Sequence, residues 1–176
     1  MTDTLRVRRV PASQARACVD MLADVLIDCV QGGASVSFMQ PLSREKAVAF
    51  WRGVADGVER GERALLVAED GAGRIVGTVQ LVMAQPENQP HRADVAKMLV
   101  HRRARRQGIA QRLMTEIEQV AREEGKSVLV LDTVTGGDAE RLYARAGWQR
   151  VGTVPNYALM PDGPPCGTTF YYKQIL

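Results

Sequence analysis

Between Arg92 and Leu131 the chain spells out a strand, a basic turn, an amphipathic helix and a second strand, the order of a crossover unit in an α/β sheet. Apolar residues recur at Ile109, Leu113, Ile117, Val120 and Ala121, the spacing of one buried helical face. Gly125 stops that helix, and Val128-Leu-Val-Leu131 is uniformly apolar, as suits a central strand covered on both faces. Two strands joined through a helix lie parallel in one sheet. The turn from His101 to Gln107, with four arginines, then sits at the helix N-terminus. Free backbone N–H groups and the positive end of the helix dipole gather there, a ready site for an anion such as a pyrophosphate. Gly108 has no Cβ to hold a phosphate away, and Arg105 and Arg106 can add charge-assisted hydrogen bonds.

The remaining elements arrange themselves around this unit. Leu5 to Val10 reads as an edge strand, and Ala12 to Gln31 as a helix stopped by Gly32-Gly33. The segment Ala34 to Pro41 is expected to shape a pocket wall before Ser43 caps a helix containing Trp51. Ala64–Glu69 and Arg74–Met83 form a hairpin about Asp70-Gly-Ala-Gly73. A short helix from Asp138 to Ala146 precedes a final pair of strands at Trp148–Val154 and Thr168–Gln174, with a Pro/Gly-rich loop, Pro155–Gly167, between them. The expectation is an α/β (α+β) domain spanning residues 1–176, with a mixed, mostly antiparallel sheet.

Composition narrows the chemistry. With 176 residues and 45% apolar content the chain can bury a sizeable core without a second domain. Its charge of +3 is concentrated at Arg102, Arg103, Arg105 and Arg106, which favours a compact anionic ligand over a long polyanion. No aromatic residues interleave these arginines, so nucleic acid is not expected as a partner. No secretion-type apolar segment and no run of about 18 apolar residues is present, which implies a cytoplasmic protein without a membrane partner. Cys18, Cys29 and Cys166 are odd in number and widely spaced, so reduced thiols are expected rather than disulfides or a zinc site, and no metal is assigned.

The spacing Arg105-x-x-Gly108-x-Ala110 resembles the acetyl-CoA-binding motif of the GNAT superfamily of N-acetyltransferases. Leu142-Tyr-Ala-Arg-Ala-Gly-Trp148 resembles that family's second recurrent element, a Leu-Tyr-x-x-x-Gly-aromatic helix end. The resemblance implies a single domain of about seven strands and four helices, with a central splayed pair of parallel strands. It also implies that acetyl-CoA lies against Met98, Leu99, Val100, Arg105, Arg106, Gln107, Gly108, Ile109, Ala110, Gln111 and Asp138. Tyr143 stands where family members carry a tyrosine that protonates the departing CoA thiolate; on periodicity alone it is a core aromatic.

Asp94 stands where many family members carry a glutamate; it is either a base acting through water, a contact for the acceptor's ammonium group, or an exposed charge at a strand entry. Asp132 closes the second apolar strand at its carboxyl end, where α/β folds open their ligand crevices. Coupling between the two carboxylates would make Asp132 a better base. A closer resemblance, carried by Gly32–Met39, Lys97–Val100, Leu131-Asp-Thr133 and Pro161-Asp-Gly163, is to the tabtoxin-resistance acetyltransferases. It implies a small amine-bearing acceptor, such as an amino-acid-like β-lactam, with Ser35, Phe38 and Met39 as candidate contacts; a plain helix connector explains those three equally well. The rival classes are a catalytically inactive acyl-CoA-binding regulatory module and a nucleic-acid-binding domain. Exposed strand edges would also allow a homodimer.

Overall fold

A computed structural model describes residues 4–175; the domain expected over 1–176 therefore extends to four residues outside the described ones. The strands are β1 (Arg6–Arg9), β2 (Arg63–Glu69), β3 (Ile75–Val82), β4 (Arg92–Val100), β5 (Val128–Val134), β6 (Gln149–Leu159) and β7 (Pro165–Gln174). The helices are α1 (Val19–Gln31), α2 (Arg44–Glu59), α3 (Ile109–Glu123) and α4 (Asp138–Arg145). All seven strands form one sheet in the order β1-β2-β3-β4-β5-β7-β6. Every neighbouring pair is antiparallel except β4 and β5, the two strands that flank α3.

One face of the sheet carries a core in which Ile109, Leu113 and Ile117 of α3 pack with Val79, Leu81, Leu129 and Leu131, and Tyr143 and Trp148 close its far end. Gly77 of β3 makes the close approach of α3 possible: a Cβ there would come within 2.9 Å of Ile109 Cγ2. The opposite face carries a second core, in which α1 and α2 bury Leu22, Leu26 and Trp51 against Leu65, Val67 and Leu99. Ser43 Oγ accepts the Lys46 amide at 3.2 Å, the cap that starts α2.

Two expectations need correction. The helix expected from Ala12 begins at Val19, after two short 3₁₀ turns at Ala12–Gln14 and Arg16–Cys18. Neither turn has a side-chain cap, and Ser13 and Gln14 face solvent, so nothing draws them into one helix. The loop expected over Pro155–Gly167 is mostly strand, since β6 continues to Leu159 and β7 begins at Pro165. β6 is an outer strand, where a proline that cannot donate to a ladder is tolerated, and a register shift between Val154 and Ala158 absorbs it.

Candidate active site

The parallel pairing of β4 with β5 lasts only from Arg92↔Val128 to Asp94↔Val130. Beyond it the strands part. β5 goes on pairing with β7 to Val134↔Thr168, while β4 goes on pairing with β3 through a register shift opposite Thr78–Gln80. At that bulge Lys97 and Met98 together stand against the single residue Val79, and Lys97 adopts φ 53°. A wedge opens between the strands with unpaired backbone along both sides.

At one end of β4 the chain makes a 3₁₀ turn, Arg102–Ala104, and enters α3 through Gly108 at φ 73°. A Cβ on Gly108 would meet nothing within 4 Å, so the space above it is open. Gly108 provides no side-chain cap, and the amides of Ile109, Ala110 and Gln111 are left to an outside acceptor. A phosphate fits this cradle on both counts. The arginines divide their work. Arg102 is bound to Asp28 of α1 at 3.0 Å, and Arg105 Nε donates to the Val100 carbonyl at 3.3 Å, bracing the turn. Arg106, at φ 62°, and Gln107 lie beside the cradle, both exposed.

Within the wedge lies a cavity of about 520 Å³. Its walls include Lys97 and Met98 from β4, Asp132 and Thr133 from β5, Tyr143 from α4, Tyr157 from β6 and the 34–39 segment between α1 and α2. Ser35, Phe38 and Met39 thus line it, with Phe38 set edge-on to Phe50 at 5.3 Å between ring centroids. Asp132 and Tyr143 face the same space. Asp132, an exposed residue on the cavity wall, is pushed above the usual aspartate range by partial desolvation, opposed by the positive charge of Lys97 and assisted by Asp94. Burial among Trp148 and Tyr171 pushes the Tyr143 phenol up to about 12, with a smaller contribution from Asp132.

Asp94, Asp138 and Leu99 are not among the cavity-lining residues. The two oxygens of Asp94 are engaged by Arg92 and by Gln85 Nε2, the latter at 3.0 Å. Asp138 is exposed at the start of α4, and the Leu99 side chain is buried in the core beneath α1. Sequence reasoning assigned no role to Lys97, Arg92 or Gln85. The one available signal was the lysine inside an otherwise apolar strand end.

The three thiols are free, with Cys18 and Cys29 buried. Among the described residues no cluster could hold a metal ion, and no helix is long and apolar enough to cross a membrane.

Residues 26–148 match the family model described as Acetyltransferase (GNAT) family. The chain belongs to the GNAT acetyltransferase family. A relative in Azospirillum brasilense, named an uncharacterized N-acetyltransferase in the hisH-hisA intergenic region, is 36% identical over 114 residues. That match covers 63% of this chain and 65% of the relative. Among solved structures, ribosomal-protein-alanine N-acetyltransferase from Brucella melitensis has a TM-score of 0.80 at 22% identity, covering 97% of this chain and 99% of that one. YncA from Salmonella typhimurium, described as a putative acetyltransferase and solved with its cofactor acetyl-CoA, has a TM-score of 0.76 at 17% identity, over 97% and 94% of the two chains. The shared fold of this GNAT chain is the single α/β domain with a seven-stranded sheet and a parallel central pair.

Proposed function

We propose that this GNAT chain is an acetyl-CoA-dependent N-acetyltransferase that acts on the primary amine of a small molecule, by direct transfer within a ternary complex. The observation that carries the reading is the wedge itself, with a phosphate cradle at one end of β4 and a cavity holding Asp132 and Tyr143 beside it. Acetyl-CoA supplies an activated acetyl thioester.

The amides of residues 106–111 would hold its pyrophosphate, and backbone N–H groups near Met98 to Val100 would take up the negative charge that builds on the thioester oxygen. Asp132, with its raised pKa, removes a proton from the acceptor ammonium. The nitrogen then bonds to the acetyl carbon and the carbon–sulfur bond breaks. Tyr143 is protonated at neutral pH, as a group that gives a proton to sulfur must be. The second proton shed by the amine replaces the one Tyr143 gives up, and the first passes from Asp132 to solvent. None of the three cysteines is among the cavity-lining residues, and Cys166 comes nearer the wall through Ser35 Oγ, 3.8 Å from its Sγ.

The tabtoxin-resistance likeness supports an amino-acid-like β-lactam as one candidate acceptor. Titration calorimetry with acetyl-CoA, followed by thiol release against small amines and such β-lactams, tests the reading. Binding with acceptor-dependent CoA release is the expected result. Absence of acetyl-CoA binding overturns it, and binding without release from any amine favours the inactive acyl-CoA-binding module.

A further inference from the structure

The mechanism leaves Lys97 unused. It lines the cavity half-buried, with no carboxylate within 4 Å among the described residues. Its Nζ donates to Ser37 Oγ at 3.0 Å and lies 5.9 Å from the centroid of the Phe50 ring. A cation drawn partly out of water without a counter-ion is costly, and such groups are ordinarily paired. Asp132 acts on it electrostatically, yet the two do not close an ion pair. Desolvation holds the Lys97 pKa below the usual lysine value, with the Asp132 charge opposing this and the weaker influence of Arg63 adding to it.

Backbone strain points to the same place. Among the described residues four non-glycine positions have a positive φ: Ser37 at 77°, Lys97 at 53°, Arg106 at 62° and Asn156 at 54°. Ser37 and Lys97 are joined by the hydrogen bond just described, although 60 positions apart. Each such conformation costs on the order of 1 kcal/mol or more and persists only where surrounding structure imposes it. A lysine and its hydroxyl partner, both held in disfavoured backbone, form a built receptor rather than a flexible surface cation.

We propose that Lys97, oriented by Ser37, receives a carboxylate of the acceptor, so that the substrate is a zwitterion carrying both a carboxylate and the primary amine to be acetylated. The cavity then presents one charge of each sign, Lys97 for the carboxylate and Asp132 for the amine, separated by the gap the substrate fills. This rests on the transferase reading for the fate of the amine, while the binding of the carboxylate is measurable without turnover.

The test compares each proteinogenic L-amino acid, and a panel of amino-acid-like β-lactams, with the matching amine that lacks the carboxylate. Calorimetry on the CoA-loaded protein reads binding, and thiol release with acetyl-CoA reads kcat/KM. At least one acid is expected to bind better than its amine. Lys97→Met should reduce that preference roughly 10-fold to 100-fold, the weight of a hydrogen bond between charged groups, and Lys97→Arg should keep part of it. Acetyl-CoA affinity should stay within about twofold in both variants, which also shows that they fold. The proposal is overturned if no acid binds, if the preference survives Lys97→Met, or if acids and amines lose affinity and rate alike. Failure of the transferase reading shows separately, as absent thiol release with acid binding intact.

Discussion

Asp132 and Tyr143 make opposite demands on their surroundings, and substitution should separate them. Asp132→Asn is expected to slow acetyl transfer about a hundredfold, the usual weight of a positioned proton acceptor. The pH profile follows from the direction of its shift. Only ionised Asp132 can take a proton, and desolvation raises its pKa. The acid limb of kcat/KM should therefore lie above the ordinary aspartate range, and Asp132→Asn should remove it. Tyr143→Phe should lower kcat while leaving the acetyl-CoA dissociation constant within a few fold, measured by calorimetry against steady-state rates. Both residues are legible in the sequence, Tyr143 through its motif and Asp132 through its place at the end of an apolar strand. Lys97 is not, because its exposure to the cavity follows from a bulge defined only by pairing with β3. The engagement of Asp94 is equally hidden, since Gln85 reaches it from the turn before β4.

The entrance to α3 can be altered without intruding on the core. Gly108 sits in left-handed backbone with open space beside it. Gly108→Trp should abolish acetyl-CoA binding in calorimetry while circular dichroism stays unchanged, because the indole would occupy the cradle and not the core. Some thermal stability is lost, since a side chain in this conformation costs about 1 kcal/mol. The helix, the turn and the following strand are all readable from periodicity, as a buried stripe and a continuous apolar run leave little choice. The long β6–β7 hairpin is less readable. Its prolines signal a loop in any local reading, and only the position of β6 at the outer margin, a property of strand order, makes Pro155 acceptable within a strand.

The molecule as a whole is tied across its two faces by a few charged links. Asp28 of α1 holds the turn after β4, accepting from the Arg102 amide at 2.8 Å and from its guanidinium at 3.0 Å. Burial alone would raise the Asp28 pKa, but these hydrogen bonds and the nearby positive charges hold it below the usual value. A carboxyl whose pKa is depressed by folding stabilises the native state above its unfolded pKa, and the effect is lost as pH falls through the folded value. Asp28→Asn should therefore melt below the wild type at pH 7, and the gap in Tm should close as pH falls below about 4, near the unperturbed aspartate value. On the other face Lys173 of β7 holds Glu118 of α3 at 2.9 Å, so α3 is anchored to the half of the sheet beyond the wedge. The wedge has a further consequence. A sheet normally exposes its unsatisfied backbone only at its rims, whereas this one also carries two such margins along its midline, joined by three paired positions. Hydrogen exchange should show amides that face this seam, in residues 95–100 and 131–134, opening sooner than those of β2 and β3. The two halves of the sheet then share one core beneath α3 but only three ladder positions along their midline, and a ligand filling the seam would stand in for the missing strand.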